Sequence, residues 1–194
     1  MYGLVNKAVG DLVCTRFGEQ AWEAIRARAR IGVDSFISMD PYPDEVTYKL
    51  VGAASEVLGL SPEAVLDAFG EFWIRYTAKE GYGEMFSMFG ESFGEFLHSL
   101  DALHTHIGLS FSQLKPPTFS CEDLGEGTYL LSYFSTREGL APMMVGLLRG
   151  LAAVFGKQVE IQHVKGRAEV GHDEFHIREL PVVSPEAAPE SAAS

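Results

Sequence analysis

The chain has 194 residues, 46% of them hydrophobic and 22% charged, which suits one globular domain with a core able to bury a sizeable ligand. With 27 acidic side chains against 15 basic ones the net charge is −12, and a surface of that sign repels phosphate backbones and anionic lipid, arguing against nucleic-acid and membrane partners. No apolar run approaches the roughly 18–20 residues of a membrane span, no signal-peptide pattern opens the chain, and Cys14 and Cys121 form no zinc or disulfide motif, so a reduced, cytoplasmic protein is expected.

The first predicted elements are helices. Residues 3–16 and 19–30 carry apolar side chains at three- and four-residue spacing. A loop with Pro41 and Pro43 leads into a helix over 44–58, stopped by Gly59. Ser61 is placed as an N-cap with Pro62 at the first helical position, opening a helix to about residue 79. A further helix covers 91–108. After Pro116 and Pro117 the residue types turn to β-formers, with strands over 118–122 and 128–136 around a Gly-containing turn at 123–127. A helix over 139–155 follows, then strands over 157–164 and 173–180. This order predicts an α+β domain, with an N-terminal helical subdomain and C-terminal helices packed on an antiparallel sheet. From Pro181 onward Pro, Ala, Ser and Glu dominate, so the domain is placed at 1–180 and a disordered tail at 181–194.

Three of the six histidines, His98, His104 and His106, share the helix over 91–108. At about 100° per residue, Phe93, Leu97 and Leu100 fall within roughly 40° of His104, whereas His98 and His106 lie roughly 120° or more away. His104 is therefore expected to point inward. It is either a core histidine satisfied by a backbone carbonyl or a neutral imidazole offered to a metal, as in a haem pocket. With no second ligand at i+3 or i+4, a haem suits it better than a bare ion. Downstream, Tyr133, Ser135 and Arg137 have one parity. If the strand persists to Arg137, two hydroxyls and a guanidinium project from one face. Such a row suits the two propionates of haem, and equally a polar strand face bonding its neighbours.

Together the opening MYGLVNKA, the segment LVGAASEVLG, the run LDALHTHIG, and then KPPTFSC and YFSTREGL resemble the H-NOX family of haem nitric oxide/oxygen binding domains, related to the haem domain of soluble guanylate cyclase. The resemblance extends over roughly residues 1–180. It implies haem b buried between the two subdomains, with His104 as the proximal iron ligand and Tyr133, Ser135 and Arg137 holding the propionates. It further implies that Pro117 presses the haem out of plane and that Gly3, Leu4 and Val5 line the distal side. Cys121 matches a cysteine of some members and is given no role. Oxygen-binding members carry a distal tyrosine where Met143 stands here, supported by a polar residue where this chain has Trp73. The implied function is that of a stand-alone, non-enzymatic gas sensor. NO or CO binds ferrous haem, NO weakens or breaks the bond to His104, and the change passes to a partner, a histidine kinase or a diguanylate cyclase. Alternatives are an oxygen sensor, a haem enzyme such as a peroxidase, which needs a polar distal acid–base group, and a domain of similar fold that binds a small ligand without haem.

Overall fold

The computed structural model describes residues 1–33, 35–78, 88–111 and 113–181; residue 79, the last expected of the fourth helix, and almost all of the expected tail lie outside them. Helices α1 (Gly3–Phe17), α2 (Glu19–Ala29), α3 (Asp44–Leu58), α4 (Pro62–Thr77) and α5 (Phe93–Ser110) form where the apolar period lies. Their ends follow local chemistry. Gly59 takes the left-handed conformation that ends α3, with φ 66°. Ser61 caps α4 by accepting the Ala64 N–H at 3.1 Å. At α5 the Ser92 hydroxyl accepts the Glu95 N–H while the Glu95 carboxylate reaches back to the Glu91 N–H, a reciprocal arrangement at the helix start.

The second half holds β1 (Thr118–Gly125), β2 (Thr128–Phe134), α6 (Ala141–Val154), β3 (Val159–Lys165), the single turn α7 (Arg167–Val170) and β4 (Asp173–Glu179). The strands pair antiparallel in the order β1-β2-β4-β3, so the last strand inserts beside β2 rather than at the edge. Alternation buries Tyr129, Leu131 and Tyr133 of β2 with Phe175 and Ile177 of β4. These join Phe93, Phe96, Leu97 and Leu100 of α5 and Met144, Leu148 and Leu151 of α6 in one apolar cluster. A second cluster is built by α1 to α4, around Val9, Ile25, Leu50 and Phe69. The fold is α+β, as expected.

One strand boundary differs from expectation in a way that affects the site. β2 stops at Phe134, short of Arg137. Phe134 pairs with Thr118, and the next partner in register is Pro117, which has no N–H to give a ladder. The Ser135 hydroxyl then accepts the Arg137 N–H at 3.1 Å, a local turn that competes with extension. Tyr133, Ser135 and Arg137 therefore do not share a strand face.

Helices α4 and α6 cross in backbone contact. A Cβ on Gly146 would stand 2.0 Å from the Asp67 carbonyl oxygen, and one on Gly70 would stand 2.2 Å from that of Met143. In an open helix Gly→Ala stabilises by up to about 1 kcal/mol. Here the main chain must part, at a cost of about 1–3 kcal/mol for overpacking. Gly146→Ala should therefore lower the thermal midpoint by several degrees. A midpoint equal to or above that of the parent protein would contradict the close crossing.

Candidate cofactor pocket

Where the two apolar clusters meet, the chain encloses a cavity of about 330 Å³, within the usual range for a small-molecule or cofactor site. The sheet-side cluster contributes Leu100, Leu103, Met144 and Leu148, and the helical cluster Leu4, Val9, Leu66 and Phe69. The walls are overwhelmingly aliphatic and aromatic, with polar groups gathered at a few points.

His104 is one of those points. It lies on the α5 stripe with buried Phe93, Leu97 and Leu100, while His98 and His106 are exposed. Its Nδ1 is 2.8 Å from the Leu100 carbonyl oxygen. A carbonyl only accepts, so Nδ1 carries the proton and Nε2 keeps its lone pair. Nε2 has no hydrogen-bond partner among the described residues, and the side chain lines the cavity. The Phe119 ring packs against the imidazole with centroids 4.8 Å apart, and Asp101 holds that phenylalanine by accepting its N–H at 2.9 Å. The two sequence-level readings of His104 thus coexist: one nitrogen is satisfied by backbone, the other is left over for a ligand.

Burial lowers the pKa of His104 from its ordinary 6.5, against the opposing effects of the Leu100 carbonyl and the Asp101 charge. The folded state therefore binds this proton less readily than the unfolded chain does. Its contribution to stability is complete above about pH 6.5 and is lost as pH falls toward the depressed value. Urea midpoints of the haem-free protein should accordingly drop less between about pH 7 and pH 5 in His104→Gln than in the wild type. Equal drops in both proteins would show that His104 is not held neutral by burial.

A second polar point is the edge formed by Tyr133 and Arg137. Both line the cavity, whereas Ser135 does not, and its hydroxyl accepts the Arg137 N–H. Arg137 reaches this edge from the bend after β2, and its fork is already partly engaged. Nε donates to Asp44 Oδ2 at 2.8 Å, Nη2 to Asp44 Oδ1 at 3.4 Å, and Nη1 to the Lys115 carbonyl at 3.0 Å. Asp44 also pairs with the α-amine of Met1. Burial works against the Asp44 charge, but the amine and the guanidinium outweigh it and hold the carboxyl below its ordinary value. Tyr48 lines the cavity nearby and donates its hydroxyl to the Glu138 carbonyl at 3.1 Å. Asp44 and Tyr48 are the residues of this edge that sequence reasoning missed.

The remaining predicted site residues, Pro117, Leu4, Val5, Trp73 and Met143, all line the cavity. Gly3 does not; it is pressed against the Ile37 carbonyl and the Tyr42 ring. The Trp73 indole N–H has no hydrogen-bond partner among the described residues, and its ring lies against Phe69 and Tyr76. One turn on, Thr77 also lines the cavity, with its hydroxyl donated to the Trp73 carbonyl at 2.9 Å and the Ile74 carbonyl at 3.2 Å. Cys121 does not line the cavity; burial pushes its thiol up to about 11, so it stays protonated at neutral pH.

A family model described as Haem-NO-binding matches residues 2–163. The chain belongs to that family. Haem is the family's cofactor, and the residues present fit it: an apolar slot, one unengaged imidazole nitrogen, and a hydroxyl and guanidinium at one edge. Among the described residues no three His, Cys, Asp or Glu side chains gather as a metal-ion site. Soluble guanylate cyclase gcy-35 of Caenorhabditis elegans is 31% identical over 179 residues, covering 90% of this chain and 26% of that protein. Soluble guanylate cyclase gcy-37 of the same organism is 34% identical over 155 residues, 78% of this chain and 22% of that protein. The chain thus spans about a quarter of the length of these cyclases. The fold is shared with an H-NOX protein from S. oneidensis solved in the Fe(II) state, at TM-score 0.85 and 19% identity over 93% of this chain and 97% of that one. It is also shared with the Fe(II) unliganded H-NOX protein from K. algicida, at TM-score 0.82 and 18% identity over 96% of this chain and 100% of that one. No helix among the described residues is long and apolar enough to cross a membrane.

Proposed function

We propose that this haem-NO-binding domain is a gas sensor in which His104 holds ferrous haem b from one side and leaves the other side open to NO or CO. The observation that carries the reading is the free Nε2 of His104, presented to an apolar cavity by a ring whose other nitrogen is fixed to Leu100. Tyr133 and Arg137, with Ser135 behind them, would take the propionates at the polar edge. Pro117, Leu4 and Val5 would bear on the faces of the ring. Bound there, haem iron would supply the gas-binding site and His104 would be its protein ligand.

Selectivity follows from the wall opposite in chemistry to His104. Met143 offers no hydrogen-bond donor, and the Thr77 hydroxyl is spent on backbone. That disfavours oxygen, which needs a donor, and favours NO. Among the described residues of this wall Trp73 offers an N–H, and it is the residue through which an oxygen-sensing alternative would act.

Two contacts support a route for transmission. The Tyr2 hydroxyl accepts the Gln113 N–H at 3.2 Å, and its ring packs edge-on against Phe111 with centroids 4.9 Å apart. The segment leaving α5 is thereby tied to the start of α1, so a displacement of His104 with its helix would be felt by the N-terminal helices. A signal produced this way requires a protein partner, and the reading assigns a histidine kinase or a diguanylate cyclase in the cytoplasm. The absorption spectrum of the purified protein tests the reading. A Soret band that shifts with NO supports it, turnover of peroxide supports an enzyme instead, and absence of haem after reconstitution supports a binding domain of another kind.

A further inference from the structure

The polar edge of the pocket has a shortage of positive charge. Two propionates bring two negative charges, but Arg137 and the Met1 amine share the Asp44 carboxylate, which leaves one net positive charge, and the Lys115 carbonyl already takes Arg137 Nη1. A second cation lies just behind it, outside the lining of the cavity. Arg167, on α7, donates from Nη1 to the backbone carbonyl of Arg137 at 3.4 Å, a long and therefore weak bond.

The connection between β3 and β4 brings Arg167 there. Asp173, at the start of β4, is the register partner of Tyr133. The His172 ring stacks on Phe134 with centroids 4.4 Å apart. The same connection leaves Arg167 without a carboxylate, although acidic residues flank it in sequence. Asp173 is engaged by His163 at 2.9 Å, Glu174 by Lys165 at 2.9 Å and His172 at 3.2 Å, and Glu169 by the Gly166 N–H at 3.1 Å. No carboxylate among the described residues lies within ion-pair distance of Arg167, in a chain of net charge −12. The positive charges of Arg167 and Arg137 both act on the Tyr133 hydroxyl, the group to which a propionate would bond.

We infer that Arg167 is a second haem-propionate-binding residue, supplying from α7 the charge that Arg137, paired with Asp44, cannot supply alone. This rests on the reading of the cavity as a haem site with its propionates at the Tyr133–Arg137 edge. The bland alternative is that Arg167 only braces the bend by holding the Arg137 carbonyl, and two substitutions separate the roles. Arg167→Gln keeps an N–H for the carbonyl and loses the charge; Arg167→Lys keeps the charge.

The experiment measures haem loss from the holoprotein to an excess of an apo-globin acceptor, for wild type, Arg167→Gln, Arg167→Lys and Arg137→Ala, each reconstituted with haem and with haem dimethyl ester. Arg167→Gln should lose haem roughly two- to fivefold faster than wild type, the effect of one part-screened ion pair. Arg167→Lys should lie near wild type, and the ester should erase the difference. Equal loss from Arg167→Gln and wild type, equally fast loss from Arg167→Gln and Arg167→Lys, or a difference that survives esterification would overturn the role of Arg167. If Arg137→Ala with haem also matches wild type, the propionate reading of the whole edge fails, and not merely this part of it.

Discussion

Replacing His104 with glycine should abolish retention of haem, and added imidazole should restore it. The substitution removes the one imidazole nitrogen that faces the cavity without a partner, while Leu100, Leu103 and Phe119 still shape the space where the ring stood. Glycine within α5 weakens the helix by about 1 kcal/mol relative to alanine, too little to unfold a helix anchored by Phe93, Phe96 and Leu97. A free imidazole fits the vacated volume and offers the same lone pair. His98→Ala and His106→Ala, both at exposed positions, should leave the ferrous spectrum unchanged. The check is the ratio of Soret to protein absorbance after purification, with and without imidazole. Haem loss in His106→Ala together with full occupancy in His104→Gly would show that the ligand assignment is wrong.

Arg137→Ala should be the next most damaging change. Each charge-assisted bond lost is worth about 1.5–3 kcal/mol, so loss of a single one speeds haem dissociation roughly ten- to a hundredfold. Asp44 adds to the effect, since among the described residues it then keeps the Met1 amine alone as a partner for a carboxylate that is partly buried. Arg137→Lys should recover only part of the occupancy, because an ammonium cannot serve Asp44, the Lys115 carbonyl and a propionate at once. Haem occupancy in Arg137→Ala equal to that of wild type would remove the propionate role from this edge.

The helices were legible because their signals are local. The apolar period, Gly59 and the Ser61–Pro62 pair define α3 and the start of α4, and the structure has α3 at the same residues. The inward orientation of His104 follows from the same period. The order of the strands was not legible, because insertion of β4 beside β2 depends on cross-strand pairing that no local pattern encodes. The end of β2 was misjudged for a related reason. Residue parity along 128–137 suggests continued extension, but Pro117 on the neighbouring strand withholds the next ladder bond and Ser135 turns the chain. Asp44 escaped notice because its partner Arg137 lies 93 residues away, and a long-range ion pair leaves no spacing in the sequence. The Tyr48 and Thr77 contacts with the cavity were hidden in the same way, each looking like an ordinary helix position until the helices were packed.

The central claim, that this domain is tuned to NO, is tested most directly by optical titration of the anaerobically reduced holoprotein with NO, CO and oxygen. Residues 138–150, which carry Met143, contain no tyrosine, and a bound diatomic with charge on its outer atom needs a donor, for which Trp73 is the candidate among the described residues of this wall. The ferrous spectrum should therefore stay unchanged in air, shift with CO while the histidine remains attached, and shift with NO to the band of iron that has lost its histidine, at least in part. Met143→Tyr should introduce a response to oxygen. A stable oxygen-dependent shift in the wild-type protein, abolished by Trp73→Phe, would contradict the account and make this an oxygen sensor.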